Sequence, residues 1–145
     1  MIRKILVAYD NGNKSKKALE FAVDIAKSCG AEITLFTSVK MPDYIKSFAN
    51  HEWQEKLEEQ SQDYFRNALN EAAENVKKQG LDVKMVILRE NPGESIVRFA
   101  EKEKIDLIII GCHNRSSIER FLLGLGSVSN YVINHANCPV LVVKE

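Results

Sequence analysis

Residues 106–145 read DLIIIGCHNRSSIERFLLGLGSVSNYVINHANCPVLVVKE, and their pattern is the clearest indication of the fold class. The apolar residues 107–110 predict a strand that runs into Gly111, and Val140–Val143 predicts a last strand. Between them a glycine-containing loop leads to the run GSVS at 126–129, and a short helix is expected over residues 128–135. A strand, a loop, a helix and a second strand in this order are one unit of a parallel α/β sheet.

The same alternation fills the rest of the chain. Strand patterns occupy residues 4–9, 32–39, 82–88 and 105–110, and amphipathic patterns between them predict helices. The order βαβαβαβαβ predicts an α/β fold with an open five-stranded parallel sheet and helices on both faces.

Finer signals set the bounds of the helices. Gly30 is expected to end the first helix in a left-handed conformation, and Asn91 to cap a helix that begins at Pro92. Residues 40–50 read as irregular. The apolar stripe from Trp53 to Val76 predicts a long helix whose apolar face belongs to the core.

Length and charge limit the classes of function. The chain has 145 residues, so we expect a single domain over residues 1–145. Lys+Arg and Asp+Glu are equal at 20 each, which disfavours nucleic acid or an anionic membrane as the main partner. We read neither a membrane-spanning run nor a signal peptide, and three cysteines without a CxxC pair favour reduced thiols and a cytoplasmic location.

A ligand in an open parallel sheet binds outside the carboxyl ends of the strands, where the strand order reverses. If the order is 3-2-1-4-5, the reversal falls between strands 1 and 4, which end at Asp10 and Gly111. Glycine lets backbone N–H groups approach a phosphate, and a helix start at Ser127 would favour an anion. The hydroxyls of Ser127 and Ser129 would add donors, while the loop itself contains arginines and no lysine. The sequence therefore predicts a nucleotide phosphate site.

Structural roles compete with this interpretation. Asp10 could cap the first helix or close an Asx-turn, Gly111 could only permit a tight turn, and Ser127 could be a plain N-cap. The three histidines lack metal-ligand spacing, although His113 lies in the loop near the expected ligand. We expect no metal held by protein ligands, and no catalytic constellation stands out.

The chain resembles the universal stress proteins of the UspA family over essentially its whole length. The opening ILVAYDNGNKSKKALEFAVDIA resembles the family's strand–Asp–Gly–Ser–helix start, and DLIIIG, GSVS and CPVLVVK are close matches. The resemblance implies a Rossmann-like sheet of order 3-2-1-4-5. It also implies that ATP, often with a divalent metal such as Mg²⁺ or Mn²⁺, binds in the crevice.

Carried over by residue, the resemblance implies a nucleotide site that the loop only partly matches. The family motif is G-x2-G-x9-G-[ST], and its second glycine is Asn114 here. The matching Gly126-Ser127 comes two positions late, and Asp10 is followed by Asn11 rather than glycine. The residues expected to bind the nucleotide are Asp10, Val39, Gly111, His113, Asn114, Gly126, Ser127, Val128 and Ser129.

We expect the last strand, PVLVVKE, to present an uncovered apolar edge. In the resembled family this strand pairs with its twin, so we expect a homodimer through Val140, Leu141, Val142, Val143 and Lys144. The alternative is a monomer in which Lys144 and Glu145 protect the edge.

Two functions follow from the resemblance. The first is a cytosolic stress-response protein that binds ATP or another adenine nucleotide and at most hydrolyses it slowly. The second is a stress protein without a nucleotide, acting as a dimeric protein-interaction module. A remote third is a redox thiol protein that acts through Cys112.

Overall fold

The computed structural model describes residues 1–41, 43–48, 50–112 and 127–144, with Ser127 described through its backbone alone. Five strands and five helices lie along these residues, with two consecutive helices between the second and third strands. The strands are β1 Lys4–Ala8, β2 Glu32–Ser38, β3 Val83–Leu88, β4 Leu107–Gly111 and β5 Val140–Val143, and the helices are α1 Asn13–Cys29, α2 Asp43–Phe48, α3 His51–Lys78, α4 Pro92–Lys102 and α5 Ser127–His135.

The strands form one parallel sheet in the order β3-β2-β1-β4-β5, which confirms the predicted topology. At the centre of the sheet, Leu6 of β1 aligns with Thr34 of β2 and with Ile108 of β4. The chain moves outward from β1 to β3 on one side, then returns to place β4 and β5 on the other. The strand order therefore reverses between β1 and β4.

Side chains of successive strand residues point to opposite faces of the sheet, and each face has its own core. Ile5 and Val7 pack with helices α1 and α3 on one face. Leu6 and Phe36 pack with α4 and α5 on the other. Covering helices on both faces explain why the strands read as nearly continuous apolar runs.

The residues predicted to end α1 and to begin α4 do so in the structure. Gly30 ends α1 with a φ of 72°, in the left-handed region that glycine adopts at low cost. Asn91 caps α4, since its side chain accepts a hydrogen bond from the backbone N–H of Glu94, and Pro92 begins the helix.

Two expectations were wrong. Residues 40–50 are not irregular throughout, because α2 occupies Asp43–Phe48. The stripe from Trp53 to Val76 belongs to the core only from Ala68 onward, and 60% of Trp53 is exposed. Periodicity reports that a face is apolar, but it does not report how far along the helix the sheet extends beneath it.

In the described residues, no helix is both long enough and apolar enough to cross a membrane.

Candidate functional site

The carboxyl ends of β1, β2 and β4 meet around a cavity of about 280 Å³, here called the crevice. It lies at the reversal of strand order, where open parallel sheets bind their ligands. Helices α1, α3, α4 and α5 supply the rest of its wall. Four residues predicted from the sequence line it together: Asp10, Val39, Gly111 and Val128.

Asp10 closes the turn between β1 and α1. Its Oδ1 accepts hydrogen bonds from the backbone N–H of Gly12 and from the hydroxyl of Ser15, both at 2.8 Å. The bond to Gly12 makes an Asx-turn, one of the two structural roles considered for this residue. Gly12, not Asp10, is the N-cap of α1. Both hydrogen bonds end on Oδ1, so the turn holds the carboxylate in place at the crevice. A ligand could still be bound through Oδ2 without breaking the turn.

Backbone and side-chain bonds also fix the neighbouring ends of β1 and β2. The N–H of Tyr9 donates to the carbonyl of Phe36 at 2.9 Å, and the buried hydroxyl of Thr37 donates to the carbonyl of Tyr9. Burial raises the pKa of the Tyr9 phenol, and the carboxylates of Glu71 and Asp10 add to the shift. Tyr9 therefore stays protonated at neutral pH and cannot serve as a general base there.

Lys14 brings a positive charge to the same place. It lies in the first turn of α1 and lines the crevice, and its Nζ donates to the carbonyl of Cys112 at 3.1 Å. Its ammonium group therefore sits just beyond the end of β4. Sequence reasoning looked for cations in the loop after β4 and missed this one, because Lys14 comes from the other side of the reversal point.

The first turn of α5 borders the crevice through Val128. The first four N–H groups of a helix have no acceptor within that helix, and the helix dipole is positive at this end. The predicted helix start is thus confirmed within one residue, since α5 begins at Ser127. Ser129, which the sequence predicted to bind the nucleotide, is only 5% exposed and is not part of the crevice wall. Just after β4, the N–H of Cys112 donates a hydrogen bond to the carbonyl of Val143.

Several residues of the predicted site lie outside the described residues. These are His113, Asn114 and Gly126, together with the side chain of Ser127 and the loop cations Arg115 and Arg120.

Among the described residues, no group of three or more His, Cys, Asp or Glu side chains could hold a metal ion. All three cysteines belong to the described part of the chain, and none forms a disulfide. Burial raises the pKa of the Cys138 thiol.

At the far edge of the sheet, β5 pairs with β4 and is the last strand in the order. The carbonyl of Pro139 accepts a bond from the N–H of Ile108 in β4, and the carbonyl of Val143 accepts one from the N–H of Cys112 just after β4, both at 3.0 Å. Backbone groups alternate in direction along a strand, so those of Val140 and Val142 point to the outer edge.

Comparison with known proteins gives a consistent picture. The family model described as the Universal stress protein family matches residues 1–144. A universal stress protein of Methanocaldococcus jannaschii, MJ0531, is 34% identical over 100% of this chain and 84% of its own length. The solved structure of MJ0577, from the same organism, has a TM-score of 0.85 and 30% identity over 100% of this chain and 97% of that one.

More distant solved structures share the fold and carry nucleotides. A universal stress protein in complex with cAMP has a TM-score of 0.75 and 23% identity, covering 99% of this chain and 97% of its own. One from Archaeoglobus fulgidus in complex with dAMP has a TM-score of 0.69 and 22% identity, covering 99% and 98%. One from Arabidopsis thaliana with AMP bound has a TM-score of 0.72 and 19% identity, covering 99% and 92%.

Proposed function

Because this chain belongs to the universal stress protein family, we propose that it binds an adenine nucleotide, ATP in particular, in the crevice. The observation that carries the proposal is the convergence of Asp10, Val39, Gly111 and Val128 on one cavity at the reversal of strand order. The nucleotide complexes of more distant family members support the choice of an adenine ligand.

The proposed pose follows from the chemistry of the wall. Val39, just after β2, offers apolar surface to the adenine ring, and the buried side chains of Phe36 and Ile96 form the apolar wall behind it. The carboxylate of Asp10 accepts hydrogen bonds from the ribose hydroxyls, because a fixed carboxylate is a strong acceptor for them. Gly111 lets the first turn of α1, with Lys14, approach the end of β4 beside the ligand.

The phosphates are placed between the first turn of α5 and the ammonium group of Lys14. The positive end of the helix dipole favours an anion at the first site. Lys14 adds a full positive charge that does not depend on the altered glycine loop. A divalent metal would be held mainly by the phosphates and water, as Mg²⁺ commonly is at nucleotide sites.

In the proposed role, the chain acts as a single domain in the cytoplasm and binds the nucleotide as a regulatory signal in the stress response. Nucleotide occupancy would change the surface around the crevice and so the choice of partner. Hydrolysis of ATP in this proposal is at most slow, since the described residues around the crevice offer no evident catalytic base.

The proposal includes a homodimer through the outer edge of β5. The N–H and carbonyl groups of Val140 and Val142 point outward there, as a template for a second strand. Pairing with the same strand of another copy across a two-fold axis would satisfy these groups reciprocally.

Thermal unfolding with added nucleotides tests the function. ATP at about 100 times its dissociation constant should stabilise the fold by about 2.7 kcal/mol and raise Tm by roughly 5–10 °C. AMP and cAMP should also raise Tm, and GTP should do so less. If none of these nucleotides shifts Tm at millimolar concentration, the interaction-module alternative is favoured instead.

A further inference from the structure

A second cavity, of about 270 Å³, lies between α2, α3 and the carboxyl end of β3. We call it the apolar chamber. Its apolar wall consists of Val39, Met41, Ile45, Leu57, Phe65, Ile87 and Leu88.

Within the described part of the chain, the wall of the chamber is apolar surface that folding buries only in part. Met41, Ile45, Leu57 and Phe65 are only half-buried and belong to neither of the two core clusters. Helix α2 contributes Ile45 to the wall and has no buried residue of its own. A concave apolar surface with a few polar groups is the usual form of a small-molecule site.

The rim of the chamber is positively charged. Lys40, Lys46 and Arg89 line it together with one acid, Glu58, so the formal charge of these four is 3 − 1 = +2. Arg89 is paired with Glu58 at 3.0 Å, whereas Lys40 and Lys46 are exposed. An apolar cavity with two lysines at its mouth is complementary to an apolar molecule with an anionic end.

We propose that the apolar chamber binds a small amphipathic carboxylate, a single alkyl chain of medium length whose headgroup meets Lys40 and Lys46. The volume is close to the lower end of the range for ligand sites, about 300–1,000 Å³, which suits one short chain and not a two-chain lipid. The proposal does not require nucleotide binding, because Val39 and Phe65 are the only described residues of the chamber that also line the crevice.

A series of straight-chain carboxylates from hexanoate to tetradecanoate, titrated calorimetrically below their micelle concentrations, tests the fit. Each methylene that enters the chamber should raise the affinity roughly fourfold, and the gain should stop once the chamber is full. The chain's single tryptophan, Trp53, lies one helical turn before Leu57 and should report the binding by fluorescence. The proposal is overturned if no member of the series binds saturably, or if affinity keeps rising over the whole series.

Matched variants on α2 locate the site. Ile45→Glu puts an acid into the wall and should lower dodecanoate affinity more than tenfold. Phe48→Glu makes the same change on the same helix at a side chain that is 88% exposed and outside the wall, so it should leave the affinity unchanged. Equal losses in both variants would mean adsorption to the exposed surface of α2 and would overturn the proposal.

A charge pair tests the headgroup. Lys46→Gln should lower the affinity for dodecanoate severalfold and leave the affinity for dodecanol unchanged, because only the carboxylate is attracted by the positive charge of the rim. Lys56→Gln, an exposed lysine on α3 outside the rim, should change neither ligand. If Lys46→Gln binds dodecanoate as tightly as the unaltered chain, the assigned headgroup contact is wrong.

Discussion

Gly111 and Lys14 lie so close that no side chain fits between them. A Cβ atom added to Gly111 would lie 2.9 Å from the Cβ of Lys14 and 3.0 Å from its carbonyl carbon and oxygen. Two of these three atoms are backbone, which cannot turn aside as the end of a side chain can. The first turn of α1 therefore rests directly against the end of β4, and Gly111 and Lys14 both line the crevice.

Gly111→Ala should destabilise the fold by about 1–3 kcal/mol, because α1 must move to admit the methyl group. The same movement should weaken the binding of ATP, since it shifts the wall of the crevice. Gly30→Ala is the control: it costs about 1–2 kcal/mol through its left-handed backbone, far from the crevice, and should leave ATP affinity unchanged. Urea unfolding and calorimetry measure the two effects. A Gly111→Ala variant as stable as the original would contradict the contact.

Asp10→Ala should cost about 1–2 kcal/mol, because it removes the acceptor for both the Gly12 N–H and the Ser15 hydroxyl. Asp10→Asn keeps an oxygen acceptor and should lose less stability. Both variants should bind adenosine more weakly if the carboxylate meets the ribose. Normal adenosine affinity in Asp10→Asn, measured by calorimetry, would leave Asp10 with the turn as its only role.

Lys14→Gln should lower the affinity for ATP about tenfold and leave the affinity for adenosine unchanged, because only the phosphates contact the ammonium group. Lys17→Gln removes the same charge from an exposed position on the same helix and should change ATP affinity little. The difference between the two variants separates a local contact from net charge. Equal effects of the two substitutions, or a loss of adenosine binding, would argue against Lys14 as a phosphate ligand.

Val142→Pro should convert the proposed dimer into a folded monomer, since proline removes an N–H that points to the outer edge of β5. Leu141→Pro is the contrasting variant. By alternation its N–H faces β4, so it should damage the sheet itself. Sedimentation velocity gives the oligomeric state, and circular dichroism confirms folding. A folded Val142→Pro dimer would place the interface elsewhere.

Asp106 should make the fold sensitive to acid. Its Oδ2 accepts bonds from the backbone N–H groups of Arg3 and Lys4, and the bond from Arg3 is the main reason that its pKa is lowered below 3.8. A lowered pKa means that the ionised form stabilises the native state, so this contribution is present at neutral pH. It is lost below about pH 4, as the pH falls through the lowered pKa.

Urea unfolding between pH 7 and pH 2.5 measures this dependence. Asp106→Asn should be less stable at neutral pH and should lose less stability on acidification. Asp24→Asn, at an exposed position on α1, should follow the original profile. Parallel profiles for Asp106→Asn and the unaltered chain would contradict the assignment.

Local signals predicted most of the fold because each acts within a few residues. Apolar runs marked the strands, and Gly30, Asn91 and Pro92 marked helix ends through backbone geometry and capping. The strand order came from the family resemblance, since periodicity alone does not say which strands pair. The depth of burial along α3 escaped prediction, because it depends on where the sheet lies under Trp53 and Leu57.

The crevice was predicted in outline from Asp10 and Gly111, whose meeting follows from topology. Lys14 was missed because its relevance arises only when the start of α1 reaches Cys112, just after β4 and 98 residues away along the chain. A side chain contributed across such a distance leaves no local mark. A search of the residues just after the end of β1 for a cation would have found it.

Phe65 forms part of the wall of both cavities. A ring shared in this way cannot turn to suit an occupant on one side without changing the room left on the other. If each cavity takes a ligand and Phe65 responds to either, the two affinities must alter by the same factor, whichever ligand arrives first. One aromatic ring would then let the concentration of one small molecule set the threshold at which the protein responds to another.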